Sequence, residues 1–141
     1  MSERHLQIYG RVYRDTWNVR SVTAELAYEQ VVVSGLRFRL RGRYYDQTGA
    51  SFFSDDYALF PRGQYFTGDR ELSPMSSWVA GGRIEYDLPP GDDGNVGPFA
   101  GFALVAKFDW IKWNFDSFRY GRTPVPNDRG IIATLGLQAR F

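Results

Sequence analysis

Along six stretches of the chain, apolar residues recur on every second position, a period that describes strands with one apolar and one polar face and that in the third stretch leaves no helical reading. The first runs from about Leu6 to Asp15, with Leu6, Ile8, Gly10 and Val12 opposed to Gln7, Tyr9, Arg11 and Tyr13. The second, about Ser21 to Val32, sets Val22, Ala24, Leu26 and Tyr28 against Thr23, Glu25, Ala27 and Glu29. The third is the clearest: Leu36, Phe38, Leu40, Gly42 and Tyr44 alternate with Arg37, Arg39, Arg41 and Arg43. The fourth, about Ser76 to Leu88, opposes Trp78, Ala80, Gly82, Ile84, Tyr86 and Leu88 to Ser77, Val79, Gly81, Arg83, Glu85 and Asp87. In the fifth, about Phe99 to Phe115, Phe102, Leu104, Ala106, Phe108 and Trp110 face away from Ala103, Val105, Lys107 and Asp109. The last carries Ile131, Ala133, Leu135, Leu137, Ala139 and Phe141 on one side and Ile132, Thr134, Gly136, Gln138 and Arg140 on the other. Such strands suit a wall with lipid outside and a polar lumen inside, although a soluble sandwich strand shows the same period.

The links set a topology. Ser34-Gly35 predicts a tight hairpin, and Pro89 to Asn95 ends the fourth strand, because proline cannot donate to a ladder and glycine permits the turn. Residues 46–75 and 116–130 read as two long loops, which with the link at Thr16 to Arg20 fall at the outward end if the C-terminus is periplasmic. The predicted fold is all-β: an antiparallel transmembrane barrel wall of about six long strands in one domain over 1–141. Barrels of this kind start at about eight strands. Two expectations follow: the chain is a C-terminal fragment of a larger barrel, the favoured reading, or the long loop hides two strands, with Phe52 to Phe60 a candidate, and completes an eight-stranded barrel.

Composition agrees without deciding. No run approaches the roughly 20 apolar residues of a membrane helix, but alternating strands escape such scans. Aromatic residues form 17% of the chain and glycine supplies 15 of 141 positions, which favours strands, interfacial rings and tight turns. A net charge of +1 gives no reason to expect a nucleic-acid partner. Without cysteine there are no disulfides or thiolate metal sites. No apolar segment follows Met1 to Arg4 as a secretory leader would require, which adds to the expectation of a fragment.

Candidate chemistry lies mostly on the polar face. Arg11, Glu25, Glu29, Arg37, Arg39, Arg41, Arg43, Arg83, Glu85, Asp87, Lys107 and Asp109 are the candidate lumen-lining residues. Strands about 4.8 Å apart let acids pair across to bases, so a salt-bridged lumen is the plain reading. Four arginines in alternation exceed what their near neighbours offset, so the face also reads as an anion-attracting strip. Trp17, Tyr44, Tyr45, Trp78, Trp110 and Trp113 suit a headgroup girdle. Phe52, Phe53, Tyr57, Phe60, Tyr65 and Phe66 suit a folded loop core or a contact with a partner. His5 is the single histidine, so no His-based triad or zinc site can be assembled from this chain, and no enzyme activity is expected. Asp55-Asp56 and Asp92-Asp93 could hold calcium but more commonly would be solvated turn residues, so neither metal nor cofactor is expected.

Two segments carry resemblances. The ending, through Gly136, Ala139 and Phe141, resembles the C-terminal assembly signal of Gram-negative outer-membrane barrels, with Ala139 the weak member. Tyr44 to Asp55, followed by Asp69-Arg70-Glu71-Leu72-Ser73-Pro74, resembles an uncharacterised domain-of-unknown-function family regarded as outer-membrane barrels. The resemblance implies that these motifs lie in the C-terminal part of a much longer protein, and it implies no catalytic residues. The expected partners are outer-membrane lipid, the barrel-assembly machinery, and the remainder of the barrel or other envelope proteins. The expected role is structural or partner-holding; a porin-like conduit for small, even anionic, solutes and a soluble all-β binding protein are the alternatives.

Overall fold

A computed structural model describes residues 3–55, 64–88, 101–115, 118–120, 122–125 and 127–140. Six long strands, β1 (Arg4–Arg14), β2 (Arg20–Val33), β3 (Leu36–Gln47), β4 (Met75–Leu88), β5 (Gly101–Asn114) and β8 (Asp128–Arg140), form one antiparallel sheet in the order β1-β2-β3-β4-β5-β8. Every expected strand is present, and the ends differ by a few residues. β3 continues to Gln47 and β8 starts at Asp128 because their neighbours continue to offer partners there, in Ser21↔Gln47 and Trp113↔Asp128. The sheet is not closed: among the described residues, the outer edges of β1 and β8 pair with no strand.

Two further strands, β6 (Arg119–Tyr120) and β7 (Thr123–Pro124), pair only with each other within the last loop. They add nothing to the six-stranded sheet, so the described residues do not form the eight-stranded alternative. Of the proposed hidden strand, Phe52 to Asp55 contributes one isolated bridge, Phe53↔Thr67, and the rest lies outside the described residues. The only helical turn among them is Arg70–Leu72.

Turn chemistry explains the hairpins. Gly35 has φ of 81°, and β2 carries one extra residue, Val32, beside the turn. Such a bulge lets a turn with a single left-handed residue keep the twist of its flanking strands. Gly35 also accepts a 2.7 Å hydrogen bond from the Asp87 backbone, and a Cβ there would meet the Asp87 carbonyl oxygen at 3.0 Å. At the other end Asp15 Oδ1 accepts from the Trp17 and Val19 backbone N–H groups, which stabilises the β1–β2 connection and the left-handed Asn18.

Burial differs between the two faces of the sheet. Leu26 is 53% exposed beside Ala27 at 3%, and Leu104 is 49% exposed beside Val105 at 7%. Small residues of the polar face such as Thr23, Ala27 and Ala103 are buried, while large apolar side chains of the other face stand uncovered from Leu6 on β1 to Leu137 on β8.

Candidate functional site

The polar face is assembled by register. Tyr9↔Glu25↔Arg43↔Val79, Gln7↔Ala27↔Arg41↔Gly81↔Asp109 and His5↔Glu29↔Arg39↔Arg83↔Lys107↔Thr134 are consecutive rows across the sheet. All twelve candidate lumen residues therefore share one face, Arg11 opposite Thr23 and Asp87 opposite Ala103 included.

Most acids on this face are engaged. Glu85, buried at the backbone of the network, accepts from Arg37 at 2.6 Å and from Arg83, while Arg37 also reaches Asp87 at 3.3 Å. Arg39 sits 3.7 Å from Glu29 and donates to Gln7 at 3.0 Å. Arg41 grips Asp109 through two contacts of 3.1 Å and 3.0 Å, although β4 runs between their strands. Gly81 permits that reach: a Cβ built there would lie 1.9 Å from Asp109 Oδ1 and 3.1 Å from Arg41 Nε. Arg11 stands 5.6 Å from the Tyr13 ring centroid, a cation–π contact rather than an ion pair. Arg43 and Lys107 have no ion-pair partner among the described residues, and neither does Glu25, although it faces Arg43 in register.

On the other face Tyr44 and Trp78 pack with ring centroids 4.5 Å apart, and Trp110 lies one row further into the sheet. Tyr45 and Trp113 do not join that outward set. Register puts them on the polar face, where the Tyr45 hydroxyl donates to Gln47 at 2.6 Å. A period of two separates faces but does not reveal that an aromatic has the polar parity unless each strand is followed to its end.

The two long loops and the short β1–β2 link converge at one end of the sheet. Thr48 exchanges backbone and side-chain hydrogen bonds with Arg20, and Ser51 donates to the Trp17 carbonyl. Gln47 Nε2 donates to the carbonyls of Glu71 and Ser73 at 2.7 Å and 2.8 Å. Phe52 meets Trp17 edge-on, Phe53 stacks toward Phe118, and Arg70 lies 4.9 Å from the Phe115 ring centroid. Phe52 and Phe53 thus belong to a loop core, whereas Tyr65 and Phe66 are exposed; Tyr57 and Phe60 lie outside the described residues.

Asp55 is held by Arg119 at 2.7 Å, and that hydrogen bond keeps its carboxyl below the usual carboxylate range. Its oxygens are thus directed to a guanidinium; Asp56 and Asp92-Asp93 lie outside the described residues. Of the assembly-signal candidates, Gly136 has the polar parity, Ala139 has the apolar parity, and Phe141 lies outside the described residues. The contacts missed by sequence reasoning, Gln7 with Arg39 and Arg119 with Asp55, join residues 32 and 64 positions apart and carry no local signal.

A family model described as a protein of unknown function, DUF3570, matches residues 3–97, which takes in β1 through β4. No curated protein matches the chain, and no solved structure does. The match extends over more than half of the sequence, and the chain belongs to the DUF3570 family.

Proposed function

We propose that this chain is a wall segment of a bacterial outer-membrane β-barrel, with its apolar face toward lipid and its charged face toward the lumen. The observation that carries the reading is the uncovered apolar face spanning all six strands of the sheet, behind which the polar face is crosslinked by ion pairs. An exposed apolar surface of this extent demands a cover, and hydrocarbon is one that matches it without shape complementarity. From Trp78 to Leu88 the face runs about 34 Å along β4, and a strand tilt of about 45° reduces this to about 24 Å, close to the height of an outer-membrane apolar band. Tyr44 and Trp78 sit toward the long-loop end of that band, where an interfacial girdle belongs.

Within hydrocarbon the outer edges of β1 and β8 would leave ladder groups unsatisfied, so the reading requires further strands to close the wall. The role is structural or partner-holding, with the loop core as the outward cap. A conduit for small solutes is a second reading, favoured by the seven cations and five acids among the candidate lumen residues. The deciding experiment is flotation with liposomes after reconstitution from detergent, followed by protease protection of the strands. Co-flotation with protected strands is expected; a monomer that stays in solution without detergent would overturn the proposal.

A further inference from the structure

The row Arg39↔Arg83↔Lys107 places three cations directly opposite one another on β3, β4 and β5. Like charges in that relation destabilise a sheet, and neighbouring strands hold them only about 4.8 Å apart. Acids elsewhere on the face offset the row incompletely. Glu29 lies at its end, 3.7 Å from Arg39, and Glu85 engages Arg83 from two positions along the same strand while also serving Arg37. Lys107 has Arg83 on one side and uncharged Thr134 on the other, with no ion-pair partner among the described residues. Arg83 Nε is inaccessible and has no hydrogen-bond partner among the described residues.

These side chains line one recess of about 170 Å³ with Arg41, Gly82 and Asp109, room for several water-sized groups. Asp109 is committed to Arg41 by its two contacts, so its charge is largely spent within that pair. We propose that this recess is a binding site for a small multiply charged oxyanion of the phosphate type, held by Arg39, Arg83 and Lys107. Several oxygens on one anion suit three donors presented from adjacent strands, and one anion relieves the mutual repulsion of all three. A monocarboxylate could satisfy only part of the row. The site deepens the proposed reading, which makes this face a lumen, while the row itself depends only on the register of the sheet.

The test is calorimetric titration of inorganic phosphate into the 141-residue chain in a neutral detergent, with strand content followed by circular dichroism. The expected result is saturable binding at one site. Lys107→Met should weaken it about tenfold or more, the loss of one charge-assisted contact. Arg11→Gln, which removes a cation of the same face outside the recess, should change it by less than about twofold. Thr134→Glu puts a carboxylate opposite Lys107 and should abolish binding; it decides the matter if Lys107→Met loses its strands. Absence of saturable binding by the folded chain, or equal weakening by Arg11→Gln, overturns the site. Phosphate binding by a chain that needs no detergent would keep the site and remove the membrane wall; a chain that floats with liposomes and binds no phosphate would do the reverse.

Discussion

The two faces of this sheet share a backbone and differ in how their side chains find partners. On the polar face, most charged groups have a particular partner: Arg41 with Asp109 across an intervening strand, Glu85 between Arg37 and Arg83, Arg39 between Glu29 and Gln7. On the apolar face, Leu135 is 87% exposed and Leu104, Ile84 and Phe108 are about half exposed. Directional chemistry requires register, because each group needs a particular neighbour; the lipid cover we propose would require only the right parity. The faces should therefore tolerate substitution by different rules.

The largest contrast is between adjacent residues. Leu135→Arg should impair insertion by about 2–4 kcal/mol if the position lies near the bilayer midplane, whereas Thr134→Arg, on the charged face, should be milder. Folding yield into vesicles over a urea series measures both, and equal damage would reverse the comparison. Next comes Gly81→Val, whose side chain would occupy the space used by Asp109 and Arg41. A loss of about 1–3 kcal/mol is expected from the broken pair and overpacking. Gly82→Ala, one residue away on the other face, meets nothing nearer than 3.7 Å and should stay within about 0.5 kcal/mol. A similar cost at both glycines would remove the special role of Gly81.

In an assembled barrel with an open lumen, Arg39→Glu should shift reversal potential toward cation preference, with no change in the amount inserted. Unchanged selectivity would assign the arginines to wall stability alone. The smallest effect belongs outside both faces, at Asp55–Arg119 in the loop core. Because the folded carboxyl is held low, its contribution is present above the ordinary carboxylate value and is lost as pH falls through the lowered one. Arg119 is half exposed, so the contribution should be below about 1 kcal/mol. Asp55→Asn should flatten that acid limb in a proteolysis assay of the loops; an identical pH profile would show that the pair contributes nothing.

What could be read from the chain follows from the period of a strand. Alternation of arginine with Leu36, Phe38 and Leu40 assigns faces within β3 whatever its neighbours are, since successive side chains point to opposite sides. A regular two-residue turn at Ser34-Gly35 would set Gln30 opposite Arg39; the extra residue Val32 moves Glu29 there instead, and so keeps both strands' charged residues on one face as their alternation requires. Between β3 and β4 the chain runs from Thr48 to Pro74, a span that leaves register free, and parity alone cannot tell Arg39↔Arg83 from a slip of two residues. Only the tertiary structure decided that three cations meet in one row, that Gly81 lies between Arg41 and Asp109, and that the loop aromatics divide into the packed Phe52 and Phe53 and the exposed Tyr65 and Phe66. The sequence by itself determined the strands and their two faces, because those depend on local period; the structure decided the partners, because they depend on contacts between distant segments.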